Sequence, residues 1–274
     1  MNPTHAPDLD AYFARIGYTG PREATLTTLN RVLQAHVSSI PFENLDVLLG
    51  HGINLDPAAI EQKLVHDRRG GYCFEQNTLL LHVLTALGYL VTPLSARVRL
   101  LRPREFTPPR THLFLRVELD GVPWVADAGV GSASLTTCIR LDLASEQATA
   151  HEPRRITRED GRSFHQIRLG EDWSDVYEFT GEAMPPIDRE LANWWTSTNP
   201  GSKFCQSLAV ARSGPDGTRY AIRDREFVYR CGATTLEQIA ITTPEQLLAV
   251  LAQHFGLHFP AGTRFGGPGK AWPT

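Results

Sequence analysis

A cysteine at the start of an apolar segment is the residue of this chain best placed for covalent chemistry. Residues 68–75 read Arg-Arg-Gly-Gly-Tyr-Cys-Phe-Glu, and the apolar segment after them predicts a helix from Cys73 to near Gly88. A helix N-terminus carries roughly half a positive elementary charge, which favours the thiolate of a cysteine placed there. Because the thiolate is the nucleophile, Cys73 is predicted to be reactive. An isolated cysteine is more commonly a small packed residue, so that alternative stays open at this point.

A tight hairpin brings a histidine and an aspartate towards each other. The Asp-Gly pair at 120–121 favours a two-residue turn in which Leu119 faces Val122. Side chains alternate along a strand, so His112 and Asp127 share one face as diagonal neighbours, with backbones about 7–8 Å apart. The opposite face is apolar throughout and is predicted to be core: Leu113, Leu115, Val117, Leu119, Val122, Trp124 and Ala126.

A histidine held by a carboxylate is suited to activating a nucleophile. The carboxylate fixes the tautomer of the ring and leaves the second nitrogen facing outward. Taken singly, a strand histidine is more often packed or exposed than catalytic, and an aspartate near a strand end is most often a turn residue. Cys73, His112 and Asp127 in one chain, two of them paired by register, make thiol catalysis a working hypothesis. Their spacing alone does not define which acyl chemistry follows.

Charge and composition narrow the classes of partner. The 274 residues include 27 Lys and Arg against 30 Asp and Glu, a net charge of −3, with 42% apolar and 21% charged residues. That balance gives no electrostatic basis for binding nucleic acid or an anionic membrane. The longest apolar run, 79–91, is too short to span a bilayer, and the first residues lack the features of a secretory signal. We therefore expect a cytoplasmic protein.

The cysteine pattern favours reduced thiols. Cys73, Cys138, Cys205 and Cys231 are widely spaced and form no C-x-x-C pair. Their number is too low for a disulfide scaffold, which fits a reducing compartment. No Cys and His residues have the spacing of zinc ligands, so no metal site is predicted.

Hydrophobic periodicity changes along the chain. Helical spacing predicts a helix over 9–16 behind a cap at Asp8, a second over 26–37, a third after Asp56 and a fourth from Cys73. A capping-box pattern at Thr243 predicts a helix near the C-terminus. Strand-like segments lie between and around these helices: 91–101, 111–130, 164–169, 176–179, 207–211, 219–223 and 226–230. A short helix is predicted over 188–195.

Five segments, in this order, resemble the arylamine N-acetyltransferases over nearly the whole chain. They are Ile40–Leu45, Arg69–Glu75, Thr111–Leu113, Val125–Gly131 and Ser197–Phe204. The resemblance implies that Cys73, His112 and Asp127 form a catalytic triad. It also implies an α+β fold with a cysteine-protease-like triad: a helical bundle with the nucleophile at 1–90, a β-barrel with the histidine and aspartate at 91–200, and an α/β lid at 201–274.

The same resemblance implies a reaction and a set of ligand contacts. The donor would be acetyl-CoA and the acceptor an aromatic amine or hydrazine, in a ping-pong mechanism through an acetyl-cysteine, with no metal. Phe42 and Val130 would line the acceptor pocket. The remaining implied contacts lie near the CoA arm or the pocket mouth: Val98, Thr111, Gly129, Gly131 and Phe204. A homo-oligomer is compatible with the sequence.

Two features of the sequence affect which family properties apply to this chain. The family commonly has phenylalanine at the place of Val130, so a wider pocket is predicted and the acceptor preference stays open. Glu43 and Arg68 match paired family positions and predict an ion pair that holds the loop before Cys73. Transfer of another acyl group, amide synthesis, thiol hydrolysis and an inactive binding protein are the alternative functions.

Overall fold

The computed structural model describes residues 5–100, 102–214 and 216–266, and its N-terminal part is a bundle of helices. The Asp8 carboxylate accepts a hydrogen bond from the Ala11 N–H at 2.9 Å, which confirms the predicted cap. The Glu75 carboxylate accepts from the Tyr72 N–H at 3.0 Å, and the predicted helix start at Cys73 is also confirmed. The helices of the bundle are α1 (Leu9–Ile16), α2 (Leu26–Ser39), α3 (Leu45–Leu48), α4 (Pro57–Glu61), a π-helical turn (Gln62–His66) and α5 (Cys73–Ala86).

A seven-stranded antiparallel sheet follows the bundle and curls into a nearly closed barrel. Its strands are β2 (Leu90–Val98), β3 (His112–Leu119), β4 (Val122–Ala126), β5 (Ile139–Arg140), β6 (Arg154–Glu159), β7 (Arg162–Leu169) and β8 (Asp172–Phe179). They lie in the order β5-β4-β3-β2-β8-β7-β6. Gln147 bridges the two edges: its backbone pairs with Arg154 of β6, and its side chain bonds the backbone of Arg140 of β5.

The hairpin that carries the histidine and aspartate has the predicted register. Leu119 pairs with Val122, and the ladder continues outwards without a bulge. Asp120 and Gly121 have φ values of 52° and 74°, as a type I′ turn requires. The local turn chemistry therefore fixes which residues of β3 and β4 share a face.

The end of this hairpin next to the site is buried on both faces, although the sequence predicted a core face on only one side; towards the turn, Leu119, Val122 and Trp124 are partly buried and Arg116 is exposed. Leu113 and Leu115 of the apolar face are inaccessible to solvent. On the opposite face, the Phe114 ring lies against those of Tyr177 and Phe179 of β8, at centroid distances of 5.1 and 5.0 Å. Barrel closure places this second face inside the barrel, so His112 and Asp127 are buried as well.

A second sheet, of five strands, joins the N-terminal bundle to the C-terminal part of the fold. Its order is β1-β9-β10-β11-β12. The first strand, β1 (Phe42–Glu43), comes from the bundle and pairs with β9. The other elements of this C-terminal part are α6 (Pro186–Thr198), α7 (Lys203–Gln206), β9 (Ala209–Ser213), β10 (Thr218–Arg223), β11 (Glu226–Cys231), β12 (Thr234–Ala240) and α8 (Pro244–Phe255).

The architecture confirms the predicted α+β fold. The bundle and the barrel share one hydrophobic core, and α8 packs on the five-stranded sheet in another. A smaller apolar cluster lies between them and contains Cys73 together with Phe42, Tyr72 and Leu113. The predicted domain limits at residues 90 and 200 stay a prediction; β1 belongs to the bundle by sequence and to the C-terminal sheet by pairing.

Candidate active site

The structure brings His112 and Asp127 into direct contact. His112 is the first residue of β3, and Asp127 follows the last residue of β4. The ring Nε2 lies 2.8 Å from Asp127 Oδ2. His112 is 1% exposed and Asp127 0%, so this hydrogen bond is shielded from water. The carboxylate thereby fixes the orientation of the ring.

Cys73 lies beside the same histidine. Its sulfur interacts with the His112 side chain, and it also lies 3.6 Å from the Thr111 carbonyl oxygen. Because Nε2 is occupied by Asp127, Nδ1 is the ring nitrogen left for the sulfur. Cys73 is the first residue of α5, so it stands at the end of the helix where backbone N–H groups lack acceptors within the helix. Nucleophile, base and orienting carboxylate are therefore contiguous.

The protonation state of the His112 ring depends on two opposing effects, burial and the neighbouring Asp127 carboxylate, and the carboxylate has the larger effect. Burial opposes protonation, but the Asp127 charge and hydrogen bond, together with the Cys73 side chain, raise the pKa of His112 to about 10. The ring is therefore protonated at neutral pH. An imidazolium beside the sulfur favours the ionised form of a thiol.

Asn77 completes the site, and the sequence analysis did not identify it. It lies four residues after Cys73 on α5, one turn further along the same face. Its Nδ2 donates to Asp127 Oδ1 at 2.9 Å and to the Leu113 carbonyl at 2.6 Å, and its Oδ1 accepts from the Ala128 N–H at 2.9 Å. The sequence feature that could have identified Asn77 is its spacing, because a residue four positions after a helical nucleophile faces the same neighbours.

Gly129 is required by packing against the nucleophile. A Cβ atom at this position would lie 2.6 Å from the Cα of Cys73 and 2.6 Å from Asn77 Nδ2. Its N–H donates to Asp127 Oδ1 at 2.8 Å. The close approach that glycine permits here is between loop and helix. A contact of Gly129 with the CoA arm stays a prediction. Gly131 has φ of 61°, and a Cβ there would lie 3.3 Å from the Phe42 ring.

The structure also places the other predicted ligand contacts, which are Phe42, Phe204, Val130, Thr111 and Val98. Phe42 and Phe204 have ring centroids 6.0 Å apart and pack in the cluster that contains Cys73. Val130 is 8% exposed and belongs to the core shared by bundle and barrel. It lies in the chain between Gly129, which packs against Cys73, and Gly131, which packs against Phe42. Thr111 reaches the site through its carbonyl. Val98 lies at the end of β2, where it pairs with Tyr177.

An ion network holds the loop before the nucleophile, but with a different arginine from the predicted one. Arg69 Nη2 lies 2.8 Å from Glu43 Oε1 and 2.9 Å from Asp46 Oδ1. The predicted partner, Arg68, adopts a left-handed backbone conformation with φ of 54°, and it is exposed. This turn of the backbone directs its neighbour inwards, so the prediction of a Glu43–Arg68 pair was wrong by one residue.

The same network reaches the capping residue of α5. Lys63, in the π-helical turn, lies 2.6 Å from Asp46 Oδ2 and 2.6 Å from Glu75 Oε1. Burial opposes the charge of Lys63, yet Glu75, Glu43 and Asp46 raise its pKa. Glu75 also accepts a hydrogen bond from the Tyr72 N–H and so caps α5. The ion network therefore stabilises the start of the helix, where Cys73 lies.

No cluster of three or more His, Cys, Asp or Glu residues suited to a metal ion occurs within 5–100, 102–214 and 216–266. Across the same ranges, none of the helices has the length and apolar character needed to cross a membrane.

Comparison with known proteins defines the family. A family model described as N-acetyltransferase matches residues 25–263. The chain is 41% identical to the arylamine N-acetyltransferase of Mycolicibacterium smegmatis over 257 residues, which are 92% of each chain. The solved structure of the M. smegmatis enzyme matches with a TM-score of 0.87 and 40% identity, covering 92% of this chain and 93% of that one. The Mycobacterium marinum enzyme in complex with CoA matches with a TM-score of 0.87 and 35% identity, covering 91% and 92%.

The fold is that of an acyltransferase with a cysteine-protease-like arrangement. The chain belongs to the arylamine N-acetyltransferase family.

Proposed function

We propose that this enzyme transfers an acetyl group from acetyl-CoA to an aromatic amine or hydrazine through an acetyl-Cys73 intermediate. The observation that carries the proposal is the contiguity of Cys73, His112 and Asp127, with the last two 2.8 Å apart. The relatives named as arylamine N-acetyltransferases support the acceptor class. The M. marinum structure in complex with CoA supports the donor.

In the first half-reaction Cys73 acts as the nucleophile. The resting pair is a thiolate and the His112 imidazolium, which the raised pKa of His112 supports. The sulfur attacks the carbonyl carbon of the thioester and forms a new C–S bond. When the tetrahedral intermediate collapses, the bond to the coenzyme A sulfur breaks. That sulfur takes the proton of His112 and leaves as the thiol.

The oxyanion of that intermediate requires hydrogen-bond donors. Cys73 is the first residue of α5, and the first N–H groups of a helix have no acceptor within the helix. We assign the Cys73 N–H to the oxyanion. Such a donor is already oriented before the charge develops, which lowers the barrier without rearrangement.

The second half-reaction regenerates the resting enzyme. The amine nitrogen attacks the acetyl carbon, and neutral His112 accepts a proton from it. The C–S bond to Cys73 breaks, the sulfur leaves as the thiolate, and the thiolate–imidazolium pair is restored. Asp127 stabilises the imidazolium at this stage without taking up a proton itself.

Aromatic side chains beside the thiol suit an aromatic acceptor. Phe42 and Phe204 lie against each other in the cluster of Cys73, and ring pairs of this kind gain from offset or edge-on contact. Val130 stands between the two glycines that touch Cys73 and Phe42. We assign Phe42, Phe204 and Val130 to the acceptor side of the pocket, and Val98 and Thr111 to the side of the donor arm.

The decisive experiment is mass spectrometry of the protein mixed with acetyl-CoA and no amine. We expect a mass increase of one acetyl group, located on the peptide that contains Cys73 and removed when aniline is added. Cys138, Cys205 and Cys231 are unbridged and serve as internal controls, because they should remain unmodified. The absence of acetylation, or acetylation elsewhere, would refute the proposal. Cys73→Ala should fold normally and take up no acetyl group.

A reducing compartment suits this chemistry. Cys73, Cys138, Cys205 and Cys231 are free, and no disulfide links any of them. A thiolate nucleophile is lost on oxidation. We therefore propose a cytoplasmic location, which fractionation of the producing cells with an antibody to the protein would test.

A further inference from the structure

Three buried polar side chains form a hydrogen-bonded row inside the helical bundle. The Tyr12 hydroxyl of α1 lies 2.8 Å from Nδ1 of His36 on α2, and His36 Nε2 lies 2.7 Å from Oε1 of Gln76 on α5. All three residues are 0% exposed. We call Tyr12, His36 and Gln76 the bundle network. It connects the first two long helices to the helix that begins with the nucleophile.

The side-chain amide of Gln76 has one orientation that satisfies its partners. Its Nε2 lies 2.7 Å from the Pro41 carbonyl oxygen and 3.1 Å from the Gly71 carbonyl oxygen. A carbonyl oxygen can only accept a hydrogen bond, and the amide nitrogen has two hydrogens to donate. The nitrogen of the amide therefore faces the two carbonyls, and its oxygen faces His36.

The His36 ring holds the amide in that orientation. Because Gln76 Oε1 can only accept, His36 Nε2 carries the hydrogen of the ring, and Nδ1 accepts from the Tyr12 hydroxyl. Burial lowers the pKa of His36 to about 4, against the effect of its hydrogen bond to Gln76, so the ring is neutral at pH 7. If the amide were flipped, its N–H groups would face the N–H of the ring in a site that water does not reach.

The two carbonyls that this amide binds belong to two segments that meet at the candidate active site. Pro41 is followed by Phe42, which bridges to Gly71 in parallel register. Gly71 lies two residues before Cys73. The Gly71 N–H donates to the Pro41 carbonyl at 3.3 Å, and the Glu43 N–H donates to the Gly71 carbonyl at 3.0 Å. One side-chain amide therefore binds both the segment of the aromatic residue beside the thiol and the segment that carries the thiol.

We propose that Gln76 is a positioning residue that fixes the separation of Phe42 and Cys73, and that His36 holds its amide in the required orientation. The consequence for the reaction rests on the proposed function, in which Phe42 lines the amine pocket. Displacement of a group that orients a substrate by about 1 Å can cost about a hundredfold in rate. The bundle network therefore supports amine transfer without contact between its side chains and the amine.

The first half-reaction depends on backbone bonds that do not need this side chain. The Tyr72 carbonyl accepts from the N–H groups of Glu75 and Gln76 at 3.0 and 2.9 Å. These bonds orient the peptide that contains the Cys73 N–H, which we assign to the oxyanion. A substitution of the Gln76 side chain should therefore affect amine transfer more than acetylation of the thiol.

Four variants separate positioning from a general loss of stability. Gln76→Met keeps the length of the side chain but removes the amide, and His36→Leu removes the group that orients the amide. His36→Gln is the conservative variant, because its amide can still donate to Gln76 and accept from Tyr12. Gln147→Met is the matched control, since the Gln147 amide also donates to two backbone carbonyls but lies at the edges of the barrel.

Hydrogen exchange measured by NMR tests the contact without turnover. We expect the amides of Gly71 and Glu43 to exchange about tenfold faster in Gln76→Met and His36→Leu than in the wild type. In His36→Gln and Gln147→Met these two amides should exchange at the wild-type rate. Wild-type exchange in both test variants would overturn the proposal, and so would exchange that is faster by the same factor throughout the protein. If Gln76→Met does not fold, the two His36 variants carry the same comparison.

Separate measurement of the two half-reactions tests the effect on the amine. Acetylation by acetyl-CoA without amine is followed by rapid-quench mass spectrometry, and transfer to aniline is followed in the steady state. We expect Gln76→Met and His36→Leu to lower kcat/KM for aniline by about tenfold and the acetylation rate by less than about twofold, with near wild-type values for His36→Gln. Equal losses in both half-reactions would make Gln76 structural only. If the wild type forms no acetyl-Cys73, the proposed function fails, and the exchange rates alone decide whether Gln76 holds the two segments together.

Discussion

Gly129 and Cys73 are in direct backbone contact: a Cβ atom on the glycine would lie 2.6 Å from the cysteine Cα and 2.8 Å from its Cβ. We expect Gly129→Ala to push the loop away from α5. Displacing reacting groups by about 1 Å can cost about a hundredfold in rate, and overpacking costs about 1–3 kcal/mol in stability. Measured kcat/KM should fall by about a hundredfold. Gly52→Ala is the matched control, since no atom lies within 4 Å of its Cβ position, and its rate should stay at the wild-type level.

Asn77→Ala tests the support of the aspartate. It removes hydrogen bonds to Asp127, the Leu113 carbonyl and the Ala128 N–H in a buried site. Each unsatisfied buried group costs about 1–3 kcal/mol, so we expect both a lower melting temperature and a loss of about ten- to a hundredfold in kcat. Asn30→Ala is the control, because Asn30 bonds the Cys138 N–H away from the site. A kcat per folded molecule equal to that of the control would show that Asn77 is structural only.

Asp127→Asn should change the charge of the neighbouring ring. The carboxylate holds the pKa of His112 at about 10 against the effect of burial. Once it is removed, burial acts with less opposition, and the pKa of His112 should fall so far that the ring is largely neutral at pH 7. NMR titration of the ring, assigned by comparison with His112→Gln, measures this shift. The rate should drop by about ten-thousandfold. A ring that still titrates near the wild-type pH would mean that another group holds the proton.

Glu152→Gln should destabilise the link between barrel and C-terminal sheet. Burial opposes ionisation of Glu152, but Arg219 and then Arg154 and Arg230 lower its pKa to about 2. Removing the charge leaves buried arginines unpaired, which costs about 3–5 kcal/mol in the free energy of unfolding. Because the folded pKa lies below the ordinary 4.5, this contribution is complete above about pH 4.5 and is lost as the pH falls towards 2.

Urea unfolding at a series of pH values measures that contribution. The difference between wild type and Glu152→Gln should be largest at neutral pH and shrink below pH 4.5. Glu159→Gln is the control, because Glu159 is half-exposed on β6 and should change stability by less than about 1 kcal/mol. A constant difference across the pH range would contradict the assignment.

Val130→Phe addresses acceptor choice. An aromatic ring between Gly129 and Gly131 should narrow the pocket that we assign to the amine. Forcing extra volume into a packed site costs about 1–3 kcal/mol, so kcat/KM for a bulky amine such as 2-aminofluorene should fall by about ten- to a hundredfold, and that for aniline by less. Acetylation of Cys73 by p-nitrophenyl acetate without amine is the internal control. Equal losses for both amines would show that Val130 does not shape the acceptor pocket.

Local rules made the helix start and the hairpin predictable. The Asp-Gly turn at 120–121 determines the register through backbone conformation alone, and the cap at Cys73 depends on residues within one turn. The pairing of His112 with Asp127 follows from the turn and the strand register that it determines. The part of the chain that carries the catalytic side chains could therefore be predicted without knowledge of any long-range contact.

Contacts that depend on the path of the backbone were harder to predict. Arg68 and Arg69 are adjacent and identical in type, and only the left-handed conformation at Arg68 decides which one meets Glu43. The strands β6 and β12 lack a clear apolar alternation, because β6 is rich in arginine and β12 is largely exposed at the edge of its sheet. The position of Asn77 could be predicted from helical spacing, but its partners are 36 to 51 residues away in sequence and only the tertiary fold brings them to it.

The pairing of β1 with β9 has a consequence for biosynthesis. Phe42 pairs with Ala211 in that sheet and also bridges to Gly71, just ahead of the nucleophile. In a nascent chain on the ribosome, β1 therefore cannot pair with β9 until residues 209–213 have emerged from the exit tunnel. The reactive sulfur therefore gains its final surroundings only after β9, which lies well over a hundred residues further along the chain, has been synthesised.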